Sequence, residues 1–560
     1  MRMSDTSAPQ NDFDVCIVGT GVAGLTIARE LLPAGVRVCL IESGGEDFDE
    51  DQQQLNDAEN IGFDYYKIID CRLRIFGGTT AIWGGRCAPL DAIDFQKRDW
   101  VPHSGWPISI EDLAQPYRKA RQMLGLPAYG VQEDLVRRKR ENFHGMNEDG
   151  FEVTRWEFDK KHDRFQMDNT QDVVKNRDCT LMLRQTVVNI NLDAETGKKV
   201  KSVTIRNRRG EDREIRAKRF VLATGGLENP RLLLNARDHH KEGIGNHNGL
   251  VGRFFMEHPR VRGGAIKARK PLAILRASYR METVGGVKTV SLIRPTDKFQ
   301  EEEKVLNHGV TVMAIKPEGA STNLVIRFYN GLRGSLSPSK GNRFLWRNMK
   351  NFALWLNRQA EPYISAVLVR LGLRQLNVII RAEQAPNIES RVILSAEKDH
   401  MGMRRVKLDW RFSEIDKESV RVITQKFGEF LEKKKLGSVK LASWLSDPDK
   451  EWEVDPLIGF HHIGGYHHMG TTRMAETDAE GVVDKNCKVF GTENLYIAGC
   501  SVFPTGGWGN PTLTIAALAV RLGDHLNDLA SQDRLEGYSN VTHLDKARME
   551  KTKTAVAAKS

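Results

Sequence analysis

The chain has 560 residues, of which 40% are hydrophobic and 28% are charged, and its formal net charge is +10. This length exceeds one compact core and predicts two domains. Basic residues are interleaved with acidic ones and form no aromatic-rich patch, which argues against a nucleic-acid partner. No stretch approaches the roughly 20 apolar residues that are needed to cross a bilayer.

The cysteines indicate a reducing compartment. They are seven in number and scattered: Cys16, Cys39, Cys71, Cys87, Cys179, Cys487 and Cys500. The odd number and the lack of any Cys-x-x-Cys spacing argue against a disulfide framework, a zinc site and a cysteine-ligated iron–sulfur cluster. The first eleven residues show neither an apolar signal region nor twin arginines. We therefore expect a cytoplasmic protein without a metal.

The first predicted elements form a strand–turn–helix unit. Phe13–Val18 reads as a buried strand, Leu25–Leu32 has helical spacing, and Gly19, Gly21 and Gly24 between them permit a tight turn. The helix start offers unpaired amide hydrogens and a partial positive charge to a pyrophosphate. A glycine turn without a ligand is the alternative, but the flanking strand and helix favour dinucleotide binding.

An acidic side chain follows the second predicted strand. This strand, Val36–Ile41, ends directly before Glu42. A carboxylate at that distance from the glycine turn typically accepts hydrogen bonds from ribose hydroxyls. Glu42 therefore favours FAD or NAD over NADP.

The next motif is a loop dense in glycine and small hydroxyls. It runs from Arg74 to Cys87 and contains Gly77, Gly78 and Thr79, and also Trp83. Such a composition is typical of backbone that approaches a flat or charged ligand closely. We therefore expect the backbone of this loop to lie close to such a ligand.

Three strand-like segments then indicate a meander. They are Thr180–Asn191, Val200–Asn207 and Glu214–Leu222, and the last leads into Ala223. Turn residues separate them, so the chain is predicted to return to the nucleotide-binding sheet.

A second domain is predicted from Arg260 to about Asp449. Glycine turns thin out there, Asn377–Arg381 and Arg391–Leu394 alternate as strands do, and Lys417–Lys434 has the pattern of a helix. The domain is inserted before the chain returns to the first one at about residue 455.

One segment of the second domain, Arg343–Gly372, alternates large apolar and basic side chains at roughly helical spacing. A helix packed on its own domain explains the pattern. An amphipathic lid, a subunit contact and a helix on a membrane surface explain it too.

The C-terminal motifs carry a family resemblance. They are Gly465–Met474, Gly481–Asp484, Asn494–Gly499 and Phe503–Thr514, followed by a helix to Leu526. Together they resemble the glucose-methanol-choline (GMC) oxidoreductases, and within them most the branch of pyranose 2-oxidase and related sugar oxidoreductases. The loop with Trp83, the segment at Ala223 and Gly252–Pro259 also fit. The likeness covers the cofactor-binding parts well and the central domain poorly.

The resemblance implies the fold class and its domain order. It implies an α/β FAD-binding domain, Rossmann-like and of the GMC type, with a discontinuous α+β substrate domain that has an antiparallel sheet. The FAD-binding parts are expected at 11–90, 166–259 and 455–530. A mixed cap or substrate-facing segment is expected at 91–165, the substrate domain at 260–454 and a mobile tail at 531–560.

The family pattern also implies roles for individual residues. The histidine of the His-x-x-Gly-Thr motif falls on His467 and the asparagine of Asn-Pro-Thr falls on Asn510. Family members place these two beside the flavin N5, where the histidine takes the alcohol proton. The residues expected to bind FAD are Gly19, Gly21, Gly24, Glu42, Gly77, Gly78, Thr79, Trp83, Ala223, Gly499, Pro511 and Thr512.

Two departures from close relatives change the expectations. Pyranose 2-oxidase attaches FAD covalently through a histidine just before the loop tryptophan, and Ile82 occupies that position here. We therefore expect FAD to be bound without a covalent bond. Some relatives carry a cysteine-ligated cluster, which this chain lacks, so the electron acceptor is expected to be oxygen, a quinone or a soluble carrier.

Several histidines lie near the predicted base. His461, His462, His467 and His468 crowd one segment, but no carboxylate or cysteine is placed to complete a metal site. In extended backbone only one of two neighbours faces the flavin; the motif selects His467, which leaves His468 a structural role. His258 is a further candidate, although a loop histidine before proline is more often structural.

The leading hypothesis is an FAD-dependent oxidation of a CH–OH group of a sugar, glycoside or polyol. Thr505 and Trp508 are expected to shape the pocket, with core packing as the alternative for Trp508. A sterol or an aliphatic alcohol is the rival substrate. A catalytically silent flavoprotein that serves as a binding partner is the rival from another class, and the presence of both His467 and Asn510 argues against it.

Overall fold

The computed structural model describes residues 13–128, 146–159, 161, 163–278, 281–284, 286–317, 341, 361–453 and 466–557, with backbone alone from 536 onward. The histidines at 461 and 462 and most of the segment 343–372 lie outside these residues.

The first sheet has parallel central strands that carry the nucleotide-binding turn. Its order is β6-β2-β1-β9-β8-β7, and β18 also pairs with β9. The strands β1, β2, β6, β9 and β18 pair in parallel, whereas β7, β8 and the start of β9 form an antiparallel meander. The bounds are β1 Phe13–Val18, β2 Val38–Ile41, β6 Cys179–Met182, β7 Thr186–Leu192, β8 Val200–Arg206, β9 Asp212–Leu222 and β18 Leu495–Ile497. The predicted meander is thus confirmed, although the segment Thr180–Asn191 is two strands and not one.

The second sheet is antiparallel throughout, as predicted for the substrate domain. Its order is β17-β10-β14-β13-β12-β5-β4, with β11 paired to β12. The bounds are β4 Arg86–Cys87, β5 Phe151–Phe158, β10 Arg260–Ala268, β11 Met281–Val284, β12 Val287–Pro295, β13 Gly309–Ile315, β14 Gln375–Arg381 and β17 Gly437–Leu441. A small third sheet has the order β15-β16-β3, with β3 Ala58–Asn60, β15 Arg391–Lys398 and β16 Arg404–Asp409.

The two domains share more chain than the predicted bounds allow. Residues 86–87 and 58–60 fall in the segment assigned to FAD binding, yet they pair with β5 and with β16 respectively. The sequence could not show this, because both are very short strands whose partners lie far along the chain. The discontinuous α+β architecture itself is confirmed.

Helices cover the sheets, and their buried faces follow the apolar pattern of the sequence. The longest one in the second domain begins at a capping box of Ser413 and Asp416, and it buries Val420, Ile423 and Phe427 along one face. The α-helices of the described residues are Val22–Leu31, Glu50–Gln54, Ala92–Phe95, Ala114–Met123, Gln171–Val174, Glu228–Asn235, Pro271–Ser278, Asp297–Glu303, Glu361–Arg370, Glu414–Lys433 and Thr512–Ala557.

The C-terminal helix lies against the helix that follows the nucleotide-binding turn. A side chain at Gly523 would come within 2.6 Å of the Glu30 Cβ, so glycine permits the close approach. The Asn527 amide donates to the Glu30 carbonyl oxygen at 2.9 Å. The backbone is helical as far as Ala557, which includes most of the predicted tail; the mobility of the tail stays a prediction.

The described end of the amphipathic segment exposes large apolar side chains. Tyr363, Val367 and Leu371 are all more than half exposed on or just after the helix Glu361–Arg370. A subunit or membrane-surface contact through 343–372 stays a prediction. Among the described residues no helix is both long and apolar enough to span a membrane.

Candidate active site

The glycine turn opens a crevice at the carboxyl ends of the parallel strands. Gly19 has a φ of +103°, and a Cβ there would lie 2.6 Å from the Ala223 carbonyl oxygen at the end of β9. A Cβ on Gly24 would lie 2.0 Å from the Gly19 carbonyl oxygen. Both glycines are therefore required for the turn itself. By contrast, nothing lies within 4 Å of a Cβ built on Gly21 or on the buried Gly499 after β18.

This crevice has the properties of a dinucleotide site. The helix Val22–Leu31 begins at its edge with Gly21 as N-cap and has no acidic side chain in its first turn. The open space beside Gly21 and Gly499 therefore adjoins free amide hydrogens and the positive end of a helix, which suit a pyrophosphate. The residues present fit FAD.

Glu42 lies at the end of β2 on the same edge of the sheet. Its Oε2 accepts hydrogen bonds from the Thr20 amide at 3.1 Å and from the Thr20 hydroxyl at 2.8 Å, and its Oε1 accepts from the Gly44 amide at 2.9 Å. The carboxylate is 7% exposed. These bonds hold Glu42 beside the turn, where a ribose would lie.

The second glycine-rich loop closes over the first. A Cβ on Gly77 would come within 2.4 Å of the Phe165 carbonyl oxygen, and one on Gly78 would lie 3.4 Å from the Gly21 Cα. Thr79 accepts from the Leu73 amide at 3.3 Å and thereby shapes this loop, while Trp83 packs on the core of the first domain. Gly77 and Gly78 are the residues that bring the loop to the crevice.

Two alanine substitutions test separately the stability of the turn and its binding of FAD. Gly24→Ala places a methyl group against the Gly19 carbonyl, so we expect a loss of stability of more than about 1 kcal/mol and little bound FAD. At Gly21 the backbone φ is −69°, and open space surrounds the position of the methyl group that Gly21→Ala adds. We expect it to fold normally and to bind FAD about tenfold or more weakly. Thermal melting and the flavin-to-protein absorbance ratio measure both effects. A Gly21→Ala protein with unchanged FAD affinity would show that FAD lies elsewhere.

The structure brings His467 and Asn510 together. The Asn510 Nδ2 lies 3.3 Å from the His467 Nε2. The Asn510 Oδ1 is buried and has no hydrogen-bond partner among the described residues. Asn510 and Pro511 directly precede the helix that starts at Thr512. The contact between His467 and Asn510 therefore lies at the N-terminus of this helix.

A buried carboxylate holds the backbone of the histidine. The amide of His467 donates to Glu257 Oε1 and Oε2 at 2.9 and 2.8 Å, and the amide of His258 donates to Oε1 at 2.8 Å. The Tyr65 hydroxyl donates to Oε2 at 2.7 Å. Burial raises the pKa of Glu257 to about 7, although these hydrogen bonds oppose the rise.

His467 is neutral at neutral pH because its surroundings disfavour a second proton. Burial is the largest cause that holds its pKa well below the usual 6.5, and the next causes are His258 and the guanidinium of Arg381. Arg86 acts in the same direction. Both guanidiniums lie over the Trp156 ring, at 5.4 Å for Arg86 and 5.1 Å for Arg381. The site therefore combines an unprotonated imidazole with positive charge nearby.

Thr505 and Trp508 are buried and form hydrogen bonds with an earlier segment of the chain. Thr505 is fully buried, accepts from the Trp106 indole at 2.9 Å and donates to the Asp94 carbonyl oxygen at 2.6 Å. Trp508 is 2% exposed and donates to Asp91 Oδ2 at 2.7 Å. These contacts agree with core packing for Trp508, and the expectation that the two side chains shape the pocket stays a prediction. Their partners lie about 400 residues earlier, out of reach of any local pattern.

The neighbouring histidine lies on the other side of the segment. His468 is buried and its ring lies 6.0 Å from those of Tyr65 and Phe255, in contact with the core rather than with Asn510. Burial lowers its pKa to about 3. Within the described residues, no group of histidine, cysteine and acidic side chains is arranged to hold a metal ion.

Sequence reasoning missed part of this site. It did not single out Glu257, Tyr65 or Arg381, and it gave His258 a structural role. The Met-Glu-His-Pro run was a signal for Glu257 and His258. No sequence signal marks Tyr65 or Arg381, because packing between the domains alone places them here.

A dinucleotide crevice together with a partly buried histidine–asparagine pair defines a class, the FAD-dependent oxidoreductases. Family comparisons agree with it: residues 14–243 match the family described as FAD dependent oxidoreductase, and residues 386–519 match the GMC oxidoreductase family. The chain thus carries an FAD oxidoreductase domain and a GMC oxidoreductase C-terminal domain, and it oxidises CH–OH groups with FAD.

Similar proteins match either most of the chain or about half of it. The 2-methyl-1,2-propanediol dehydrogenase of Mycolicibacterium austroafricanum is 24% identical over 93% of this chain and 96% of its own length. The fructose dehydrogenase large subunit of Gluconobacter japonicus is 24% identical over 56% of this chain and 48% of its own. The solved structure of pyridoxine 4-oxidase from Mesorbium loti aligns with a TM-score of 0.52 and 17% identity, over 92% of this chain and 99% of that one. The last likeness concerns the fold alone.

Proposed function

We propose that this enzyme oxidises a hydroxyl group of a sugar, glycoside or polyol to a carbonyl, with His467 as the base. The observation that carries the proposal is the 3.3 Å contact between His467 Nε2 and Asn510 Nδ2 in a partly buried site. A substrate hydroxyl within hydrogen-bonding distance of both nitrogens donates to the imidazole and accepts from the amide. Asn510 Oδ1 offers a further acceptor for a neighbouring hydroxyl.

The two side chains act on the proton of the hydroxyl. His467 takes the proton, and the Asn510 amide stabilises the negative charge that grows on the oxygen. The guanidiniums of Arg86 and Arg381 add positive charge to the same region, which favours an alkoxide further. FAD, when bound, supplies the redox chemistry by accepting the hydride of the carbinol carbon.

The polar character of the site supports a polyhydroxylated substrate. Glu257, Arg381 and Asn510 surround the base, whereas a sterol or aliphatic chain needs an apolar wall. The relatives include proteins named for a diol and for fructose. A sugar, glycoside or polyol therefore fits better than a sterol or a long-chain alcohol.

We propose that FAD is held without a covalent bond. Ile82, which stands before the loop tryptophan, has no nucleophilic atom and is 41% exposed. Denaturation in acid is expected to release all of the flavin into the supernatant. Flavin that stays with the precipitated chain would contradict this.

The first experiment is the visible spectrum of the holoenzyme without oxygen, before and after the addition of sugars, glycosides and polyols, then sterols, then short alcohols. Bleaching by the first group supports the proposal, and bleaching by sterols or short alcohols alone overturns its substrate class. Return of the colour in air identifies oxygen as the acceptor; otherwise a quinone or a soluble carrier is tested. No bleaching by any alcohol would favour the catalytically silent flavoprotein.

The pH dependence of flavin reduction follows from the lowered pKa of His467. A base must be unprotonated to act, and a lowered pKa keeps it unprotonated in more acidic solution. The rate constant is therefore expected to stay on its plateau as pH falls through 6.5 and to decline only below it. Stopped-flow reduction from about pH 5 to 9 measures this. A decline centred at about 7 that disappears in Glu257→Gln would assign the titration to Glu257 instead.

A further inference from the structure

A second histidine contacts the proposed base directly. The Nδ1 atoms of His258 and His467 lie 2.8 Å apart, and the two rings are nearly perpendicular at 80°. The other ring nitrogen of His258, Nε2, lies 2.7 Å from the Gly507 carbonyl oxygen. His258 is fully buried, so water does not compete for either nitrogen.

These contacts determine where the protons are. A carbonyl oxygen only accepts, so His258 Nε2 carries the hydrogen of that bond. A neutral imidazole has one such hydrogen, and His258 Nδ1 is therefore the acceptor of the bond with His467. Burial lowers the pKa of His258 to about 4, which keeps this ring neutral.

The consequence falls on His467. Its Nδ1 must donate, so its own single hydrogen is on Nδ1 and its Nε2 holds the free electron pair. The Asn510 amide donates toward that same Nε2 at 3.3 Å. Every contact along the line from Gly507 to Asn510 is satisfied by this one arrangement of protons.

We propose that His258 is a positioning residue that fixes the tautomer of His467, so that Nε2 is the nitrogen available to the substrate. The inference rests on the proposed function of His467. The carbonyl of Gly507 sets the direction of donation along this chain of hydrogen bonds, because it is the one group in the chain that cannot donate.

The fold holds both ends of this line in place. The backbone amides of His258 and His467 donate to the same carboxylate, Glu257, at 2.8 to 2.9 Å. Gly507 has a φ of +53°, and a Cβ there would lie 2.3 Å from Asp94 Oδ2. The backbone conformation at Gly507 sets the direction of its carbonyl. Because Asp94 leaves no room for a side chain there, only glycine fits this position. Three residues farther on, the same loop carries Asn510.

Histidine ring nitrogens report their own protonation by ¹⁵N NMR. In the holoenzyme labelled with ¹⁵N-histidine, we expect the His467 Nε2 to show the shift of an unprotonated nitrogen and its Nδ1 that of a protonated one. His467→Gln assigns the signals. The result does not depend on turnover. A protonated Nε2 in the wild type overturns the proposal without any variant.

Two variants test the cause. His258→Leu removes the acceptor, and we expect Nε2 of His467 to become protonated in part or in full and flavin reduction to slow on the order of 100-fold. His258→Asn places an amide oxygen near the position of Nδ1, so we expect the wild-type tautomer and a rate within about tenfold of the wild type. FAD content and melting temperature serve as checks on both.

The outcomes separate the two proposals. If His258→Leu keeps an unprotonated Nε2 and the wild-type rate, His258 does not set the tautomer, although His467 can still be the base. If His467→Gln itself reduces flavin at the wild-type rate, the proposed function fails instead. Loss of rate in His258→Leu without a change of tautomer would reduce His258 to a packing role and overturn the inference.

Discussion

Replacement of His467 by alanine is expected to slow flavin reduction by the alcohol about 100-fold or more, which is the contribution of a well-positioned general base. The reason is geometric. His467 Nε2 is the unprotonated nitrogen that faces Asn510, and without it the hydroxyl proton has no acceptor at that position. Anaerobic stopped-flow measurement of the oxidised flavin band gives the rate constant, free of any step that involves the electron acceptor.

The matched control is the adjacent histidine. His468→Leu removes a buried imidazole that lies against Tyr65 and Phe255, so flavin reduction is expected to stay within a few-fold of the wild type. Both variants must retain FAD and a normal melting temperature. A His467→Ala enzyme that holds FAD and reduces it at the wild-type rate would remove His467 from the role of base, and a large loss in His468→Leu alone would transfer that role.

Three different groups hold the backbone and the ring of His467 in one orientation. Glu257 holds the backbone, His258 occupies Nδ1, and Asn510 faces Nε2. A side chain held by packing and second-layer hydrogen bonds loses little entropy when substrate binds. Its lowered pKa has the same origin, since burial that fixes the ring also disfavours its charged form.

The sequence predicts well those features that near neighbours along the chain determine. The turn from Gly19 to Gly24 is an example, because the backbone angles and the close approach of Gly24 to Gly19 arise within six residues. The central strands of the first sheet follow for the same reason, since β2 and the last four residues of β1 are continuous runs of buried apolar residues typical of parallel strands. Residues His467 and Asn510 were selected by motif resemblance, and the structure places them side by side.

The rest of the site depends on contacts between distant segments. His258 and His467 are 209 residues apart, and Trp106 and Thr505 are 399 apart. No periodicity or spacing encodes such a pair, because the intervening chain can have any length that lets the ends meet. A proline after His258 suggested a structural loop, and only the packed fold shows which ring it contacts.

A buried ion network joins the cofactor crevice to the second domain, and its centre is Glu228. Glu228 accepts from Arg72 at 2.6 Å, from Arg74 at 2.8 Å and from Arg231 at 3.3 Å, and Arg231 also reaches Asp399 at 2.5 Å. Arg72 and Arg74 precede the glycine-rich loop, Glu228 begins the helix after Ala223, and Asp399 lies between β15 and β16. Burial raises the pKa of Glu228, but the three guanidiniums outweigh it and hold that pKa well below 4.5.

The substitution Glu228→Gln is expected to lower the free energy of unfolding by about 3–5 kcal/mol, since it leaves buried guanidiniums without their counter-charge. Glutamine keeps the size of the side chain, so the loss reports charge and not a cavity. The contribution is complete above pH 4.5 and is lost as pH falls through the lowered pKa of the folded state. The difference between the two proteins should therefore be constant near neutral pH and shrink in acid. Urea unfolding of the holoenzymes at several pH values measures it.

An exposed pair supplies the comparison for this prediction. Glu389 is 54% exposed and lies 3.3 Å from Arg253, so Glu389→Gln is expected to cost less than about 1 kcal/mol. Glu228→Gln with an equally small cost would mean that the buried guanidiniums find water or other acceptors once the carboxylate is neutral. The substitution Glu228→Gln is also expected to affect FAD binding. Because Arg72 and Arg74 lead into Gly77 and Gly78, loss of Glu228 should weaken FAD binding before the second domain unfolds, whereas Glu389→Gln should leave FAD affinity unchanged.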